Sequence, residues 1–207
     1  MRIKPEIIIG ISGGSGSGKT YILNKLIHAY PSTEICLLSQ DHYYKPLSEQ
    51  QFDENGEVNF DLPESIYEDE LWNDIQQLKQ GLSVEKLEYT FNHPELEPSL
   101  MILRPAPILV IEGLFIFHLA RIAKLLDIRV FIESDRALCL ERRIIRDIAE
   151  RSLTREQVVY QWNYHVQPAY EHYLLPYREL ADILITNKIG EPELDPIYKS
   201  IAARRYS

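Results

Sequence analysis

The run Gly13-Gly14-Ser15-Gly16-Ser17-Gly18-Lys19-Thr20 places Gly-x4-Gly-Lys-Thr directly behind the apolar segment Ile7-Ile8-Ile9-Gly10-Ile11. Glycines let successive backbone N–H groups converge on a triphosphate, a lysine supplies a mobile cation for the β and γ oxygens, and a threonine hydroxyl can ligate Mg²⁺. The chain is therefore expected to bind a nucleoside triphosphate. Chance would produce this pattern in roughly one chain per hundred of this length. A glycine-rich linker would not end in Lys19-Thr20 and then repeat apolar residues at helical spacing through Tyr21, Ile22, Leu23, Leu26 and Ile27.

Two acids stand where such a ligand would meet them. In an open parallel sheet the ligand lies beyond the carboxyl ends of the strands. Asp41 closes the strand-like run Leu37-Leu38-Ser39-Gln40-Asp41, and Glu112 closes Leu109-Val110-Ile111-Glu112. Phosphoryl transfer needs one carboxylate to accept the proton of the attacking hydroxyl and another acid to hold Mg²⁺ directly or through water. The structural alternatives are a helix or turn cap for Asp41 and an ion-pair partner for Glu112. Gly113 then leaves room for a close backbone approach by a ligand.

The elements that must position these groups follow from hydrophobic periodicity. Strand-like runs occur at residues 7–11, 34–38, 108–111, 128–132 and 183–186, and helices are expected at about 19–28, 66–80, 137–151 and 155–164, with more helix after Pro168. This alternation predicts an α/β fold, a parallel sheet with helices on both faces. Ser65-x-x-Glu68 and Thr154-x-x-Gln157 match capping boxes, and Gly81 sits where a helix would end on a left-handed residue. Residues 84–103 read as an inserted β-hairpin, and the whole chain, 1–207, as one domain.

Composition bounds the function. A chain of 207 residues can bury a substantial core without staples, and its two cysteines, Cys36 and Cys139, lie in apolar contexts without C-x-x-C spacing. No apolar run approaches a membrane span and no leader is evident, so a cytoplasmic location is expected. A net charge of −9 disfavours nucleic acid and anionic membrane as partners. Positive charge is instead local, with Arg142, Arg143, Arg146, Arg151 and Arg155 in one stretch. The six histidines are scattered, and no H-E-x-x-H pattern supports a zinc enzyme.

Taken together, Gly13 to Thr20, Leu38-Ser39-Gln40-Asp41, Asn59-Phe60-Asp61, Glu112-Gly113, Arg142-Arg143-x-x-Arg146-Asp147-x-x-x-Glu150-Arg151 and Gln167-Pro168-Ala169-Tyr170 resemble uridine kinase (uridine-cytidine kinase), of the phosphoribulokinase/uridine kinase group. The resemblance runs through Tyr177 to Ala181-Asp182-Ile183 and covers nearly the whole chain. It implies a P-loop NTPase fold with an arginine-bearing helical lid at about 142–165. The implied reaction is ATP-dependent phosphorylation of the 5′-hydroxyl of uridine or cytidine, with Mg²⁺ required and GTP also admissible as donor.

By the same resemblance, Asp41 would be the base, and Lys19 and Arg146 would act on the transferring group. Gly13, Gly14, Ser15, Gly16, Ser17, Gly18, Lys19, Thr20, Arg143, Arg146 and Arg151 would bind ATP, and Thr20 with Glu112 would form the Mg²⁺ environment. Asp61 would take the ribose hydroxyls, for which paired acceptor oxygens are apt. Its structural alternative is a helix cap, a task that Ser65 is expected to fill. Tyr44, Tyr89 and His93 would line the base pocket, although any one of thirteen tyrosines can equally be packing. For the arginines the alternative is a solvated helix face with Arg143–Asp147 and Arg146–Glu150 pairs at i,i+4. A homotetramer is also implied.

The match has departures. Leu87 stands where a stacking tyrosine is usual, Glu95 where a basic residue is usual, and Arg151-Ser152-Leu153-Thr154 replaces Arg-Gly-Arg-Asp. They fall on the nucleoside pocket and the lid. A kinase of another small alcohol, such as a phosphosugar or a pantothenate-like acid, is the nearest other reading; an anionic acceptor would want cations near Asp61. A GTP-dependent switch is more remote, because Asn187-Lys188-Ile189-Gly190 lacks the aspartate that guanine recognition needs and Asp53-Glu54-Asn55-Gly56 lies in a polar loop.

Overall fold

Five Ile-, Val- and Leu-rich runs pair as one parallel sheet in the order β2-β7-β1-β8-β9. In the computed structural model, which describes residues 2–91, 95–188 and 192–205, these are β1 (Ile7–Gly13), β2 (Ile35–Ser39), β7 (Ile108–Glu112), β8 (Ile128–Glu133) and β9 (Ile183–Thr186). β1 and β7 are buried at every position, as continuous apolar strands covered on both faces must be. The side-chain period of two divides the core. Ile8, Leu109, Ile111 and Phe131 face Leu71, Ile75 and Leu78 of α2 (Glu68–Lys79). Ile9, Ile11, Val110 and Ile132 face Ile22 and Leu26 of α1 (Lys19–His28) and Ile197 and Ile201 of α7 (Asp195–Arg205).

Register sets the site. Ser39 lies beside Glu112 across β2 and β7, Glu112 beside Ile11 across β7 and β1, and Gly13 beside Ile132 across β1 and β8. The carboxyl ends of four strands therefore meet at one edge, where the phosphate-loop sequence leaves β1.

Two antiparallel hairpins flank that edge. The expected one is β5 (Val84–Leu87) with β6 (Leu100–Leu103). A second, β3 (Gln51–Phe52) with β4 (Val58–Asn59), was not anticipated, because two-residue strands carry almost no periodicity. Beyond the short α3 (Ala120–Ala123), α4 (Arg136–Arg151) starts on Asp135, whose carboxylate accepts from the Ala137 and Leu138 N–H groups. α5 (Arg155–Gln161) starts on the expected Thr154–Gln157 capping box. It runs on through π-helical turns at Trp162–Val166 and Tyr170–Leu174, with α6 (Gln167–Ala169) between them. Among the described residues no helix is long and apolar enough to cross a membrane.

Gly81 ends α2 as expected, at φ 77°, with the Leu82 N–H reaching back to the Gln77 carbonyl at 3.0 Å. The box expected at Ser65–Glu68 does not form. Pro63 opens a tight 3-10 turn over Pro63–Ser65, the Ser65 hydroxyl donates instead to the Asn59 carbonyl at 3.0 Å, and α2 begins two residues later without a side-chain cap.

Gly113 also has a different reason from the one expected. A Cβ there would lie 2.4 Å from the Gln40 side chain, which is fully buried and accepts from the Phe115 N–H at 2.9 Å. The space is taken by protein rather than kept for a ligand. Gly113→Ala is expected to destabilise the fold by about 1–3 kcal/mol through overpacking. Calorimetric unfolding checks this, and an unchanged Tm would show that Gln40 moves aside freely.

Candidate active site

A cavity of about 910 Å³ opens over the meeting strand ends, and Lys19, Thr20, Asp41, Asp61, Glu112 and, from α4, Arg142, Arg143, Arg146 and Arg151 line it. Its floor is the loop between β1 and α1. Gly16 and Gly18 hold left-handed φ values of 75° and 91°. At Gly16 a Cβ would come 2.3 Å from the Cys139 carbonyl oxygen. Lys19 Nζ donates to the Gly13 and Gly14 carbonyls at 2.8 and 3.2 Å, so the loop wraps its own cation. Burial lowers the Lys19 pKa, while the carboxylates of Glu112 and Asp41 act in the opposite direction. α1 starts with no capping side chain and no acid in its first turn. Its unpaired N–H groups and positive dipole end are left for an anion.

The two strand-end acids come together through Ser39. Its hydroxyl donates to Glu112 Oε1 and accepts from the Asp41 N–H at 3.2 Å. Ser39, not Asp41, therefore caps the turn Gln40–Tyr43. Among the described residues the Asp41 carboxylate accepts no protein hydrogen bond, and Glu112 makes no ion pair closer than 4 Å. Burial first, and the Asp41 charge next, push the Glu112 carboxyl up to about 7, against the pull of Lys19 and of the Ser39 bond. Asp41 and Glu112 line the cavity together with Thr20, and two carboxylates with a hydroxyl are oxygen donors of the kind a hard divalent cation takes, which would relieve the carboxylates' repulsion. Thr20 and Glu112, the residues expected to meet a metal, both line this cavity.

The arginines do not form a solvated face. Asp147 is fully buried and is shared by Arg143 Nε at 3.1 Å, Arg146 Nε at 2.8 Å and Arg151 Nε at 3.5 Å. The expected Arg143–Asp147 pair exists, but Arg146 turns to Asp147 rather than to Glu150. The buried carboxylate is the better partner because low dielectric strengthens the attraction. Arg143, only 7% exposed at its side chain, also donates to Ser15 Oγ and Gln161 Oε1, each at 3.0 Å, and approaches Asp61 Oδ2 to 3.9 Å. The Arg151 guanidinium stands 4.2 Å from the Phe91 ring centroid. Burial and then Arg146 lower its pKa. The three guanidiniums pair with two carboxylates, Asp147 and Asp61, so this wall carries a local positive excess that suits a polyanion.

Across the cavity, Tyr44 packs against Phe60 (6.1 Å between centroids) and Tyr89 (5.6 Å), and Tyr89 against Phe91 (5.2 Å). Tyr44, Tyr89 and Asp61 therefore meet in one wall, whereas His93 lies outside the described residues. Asp61 follows β4 and caps no helix among the described residues. Its hairpin is docked on α5 and the π turn by Asp53, whose Oδ2 is hydrogen-bonded to His165 Nε2 and the Tyr160 hydroxyl, each at 2.7 Å.

Sequence reasoning missed Phe60, Phe91, Ser39, Gln161 and Asp147 as parts of this site. Tyr89 and Phe91, two apart, carried a signal, as did Asp147 at four residues from both Arg143 and Arg151. Nothing local marks Ser39 or Gln161.

Two outcomes follow from these charges. Removing the shared carboxylate strands Arg143 in the interior, so Asp147→Ala is expected to cost about 3–5 kcal/mol of stability, measured by urea unfolding. Because the Glu112 pKa is raised above its ordinary 4.5, the folded chain holds a proton that the unfolded chain releases. Stability then falls as pH rises from about 4.5 to about 7. Glu112→Gln should flatten that slope and be relatively more stable near neutrality; Tm against pH for both proteins decides, and parallel curves would exclude Glu112 as the group.

The chain is similar to known proteins in sequence and in fold. The sequence matches the profile of the Phosphoribulokinase / Uridine kinase family over residues 8–190. It is 33% identical over 185 residues to a uridine kinase of Oceanobacillus iheyensis, covering 89% of this chain and 88% of that one. In fold it is similar to a possible uridine kinase from Bacillus stearothermophilus (TM-score 0.60, 17% identity, 89% and 90% covered). A phosphoribulokinase from Rhodobacter spheroides also shares the fold (TM-score 0.60, 18% identity, 90% and 71% covered). With the triphosphate loop, the strand-end acids and the arginine helix assembled over one parallel sheet, the chain belongs to the phosphoribulokinase/uridine kinase family of P-loop kinases.

Proposed function

We propose that this protein transfers the γ-phosphoryl group of ATP to the 5′-hydroxyl of a pyrimidine nucleoside, uridine or cytidine, giving ADP and the nucleoside monophosphate. The observation that carries the reading is the unpaired Asp41 carboxylate, fixed through Ser39 beside Glu112 and open to the cavity between the phosphate loop and the aromatic wall. A carboxylate so placed can take the proton of an attacking hydroxyl. Residues 1–207 are read as one kinase domain, working in the cytoplasm.

In this reading Gly13 to Thr20 bind the donor phosphates. Lys19 leaves the Gly13 and Gly14 carbonyls for the β and γ oxygens, an exchange of neutral acceptors for charged ones that favours binding. Arg143, Arg146 and Arg151 neutralise charge as the phosphoryl group moves and exclude water from it. Thr20 and Glu112 would hold Mg²⁺, which supplies charge neutralisation at the phosphate oxygens. On the acceptor side Asp61 receives the ribose 2′ and 3′ hydroxyls, and Tyr44 and Tyr89, together with Phe60 and Phe91, pack the base. His93 is retained as a base contact on the resemblance alone. The relatives named uridine kinase support the nucleoside as acceptor.

One contact favours a second reading. Arg143, 82 positions away in sequence, stands 3.9 Å from Asp61. This cation makes a small anionic alcohol chemically acceptable as well. A panel of nucleosides and anionic alcohols, with ATP or GTP and Mg²⁺ and read by ADP or GDP release, is expected to show turnover on uridine or cytidine. Turnover confined to an anionic alcohol would replace the nucleoside. Asp41→Asn should lower kcat by about 10²- to 10⁴-fold with nucleotide affinity retained, and near-normal turnover would remove Asp41 as the base.

A further inference from the structure

Asn187 follows β9 and was met above only as part of a poor guanine-recognition fragment, the rest of which, from Ile189, lies outside the described residues. The fold gives it a different task. Its backbone is pinned first: the N–H donates to the Glu133 carbonyl at 2.7 Å, and its carbonyl accepts from Ser134 Oγ at 2.6 Å. The side chain, in a residue only 4% exposed, then reaches the phosphate loop, where Nδ2 donates to the Ser17 carbonyl at 2.8 Å in a buried bond. Since that partner can only accept, the amide nitrogen must face it.

The direction of this bond matters. In a trans peptide unit the C=O and N–H point opposite ways, and no cis peptide occurs among the described residues. Holding the Ser17 carbonyl on Asn187 Nδ2 therefore fixes the Gly18 N–H on the opposite side of that peptide, at a residue that lines the cavity. A peptide leading into glycine resists rotation least, because glycine has no Cβ to forbid the flipped state. Left alone, this one could present its carbonyl oxygen to an incoming phosphate. Gly18 and Asn187 are also fitted to each other: Gly18 sits at φ 91°, and a Cβ on it would come 2.0 Å from Asn187 Nδ2. The amide is neutral, so it orients the loop without adding a counter-charge to compete for Lys19.

We infer that Asn187 is a positioning residue for the donor nucleotide, latching the Ser17–Gly18 peptide so that the Gly18 N–H is presented to a phosphate. This rests on the reading of Gly13 to Thr20 as the nucleotide cradle. Asn187 makes both bonds of this junction with its own main chain, to the Glu133 carbonyl and from the Ser134 hydroxyl, so substitution of the Asn187 side chain leaves them in place.

Mg-ADP titration calorimetry on the parent, Asn187→Ala and Asn187→Asp, with the Gly18 amide followed in ¹⁵N spectra, tests the latch. Losing one net hydrogen bond predicts Mg-ADP binding about three- to tenfold weaker for Asn187→Ala. Asn187→Asp, nearly the same shape, sets an acceptor against an acceptor and a negative charge near the phosphates, so its loss should exceed that of Asn187→Ala. Both variants should shift the Gly18 amide resonance in the nucleotide-free protein and leave the acceptor KM within twofold. A role only in holding β9 would not split the two affinities in this way. If both variants bind Mg-ADP as tightly as the parent, or the Gly18 resonance stays in place, the latch is overturned. A parent that binds no Mg-ADP overturns the cradle and the latch together.

Discussion

The buried carboxylate of Asp147 is the constraint on which the rest of the cleft depends. It is the nearest counter-charge to three guanidiniums that would otherwise repel one another in a poorly solvated wall. Pairing in the interior is seldom a gain over an apolar core, since desolvating each ion costs several kcal/mol. What it supplies here is placement. Arg146 hydrogen-bonds Asp147, Arg143 and Arg151 are held beside the same carboxylate by charge, and with Asp61 near Arg143 two carboxylates face three guanidiniums. A polyphosphate completes the balance that the protein leaves open.

The same economy governs the opposite side, where anions rather than cations are crowded. Ser39 orders Asp41 and Glu112 with a single hydroxyl, donating to one acid and accepting from the backbone of the other. Glu112 answers by holding its proton toward neutrality. A cation arriving there would release that proton, so metal entry and pH are linked through the carboxyl beside the loop. The loop itself depends on close approach: Gly16 lies against the Cys139 carbonyl and Gly18 against the Asn187 amide, so neighbouring elements have moulded a backbone that has little stiffness of its own.

What could be read from sequence follows how far apart the interacting residues are. Parallel strands, helices and the Thr154 and Gly81 caps are written in local periodicity and local hydrogen bonding, and the fold bears them out. The Ser65 box failed because Pro63 holds Ser65 in a 3-10 turn, where its hydroxyl donates to the Asn59 carbonyl instead. The Arg146–Glu150 pair failed because the buried carboxylate of Asp147, next to Arg146 in the chain, takes its Nε instead. The β3–β4 hairpin was invisible because its anchor, Asp53 on His165, spans 112 positions. Departures at the lid read differently in three dimensions. Ser152 takes the left-handed position at the end of α4 (φ 55°), and the ring of Phe91 gives Arg151 a second contact.

Arg143 joins the phosphate-loop side of the cleft to the Asp61 side. One guanidinium touches Ser15 of the loop, Gln161 of α5 and Asp147 of its own helix, and it approaches Asp61 behind β4. Only the planar fork of arginine offers enough donors at fixed angles for this; a lysine would satisfy the charge but not the directions. Because Asp61 follows a hairpin that Asp53 fastens to His165, its carboxylate is tied to α4 and to the π turn after α5 by two independent routes. A displacement of α4 must therefore either carry Asp61 with it or break a buried ion contact. The placement of α4 and that of Asp61 are thus set by one shared network rather than by separate parts.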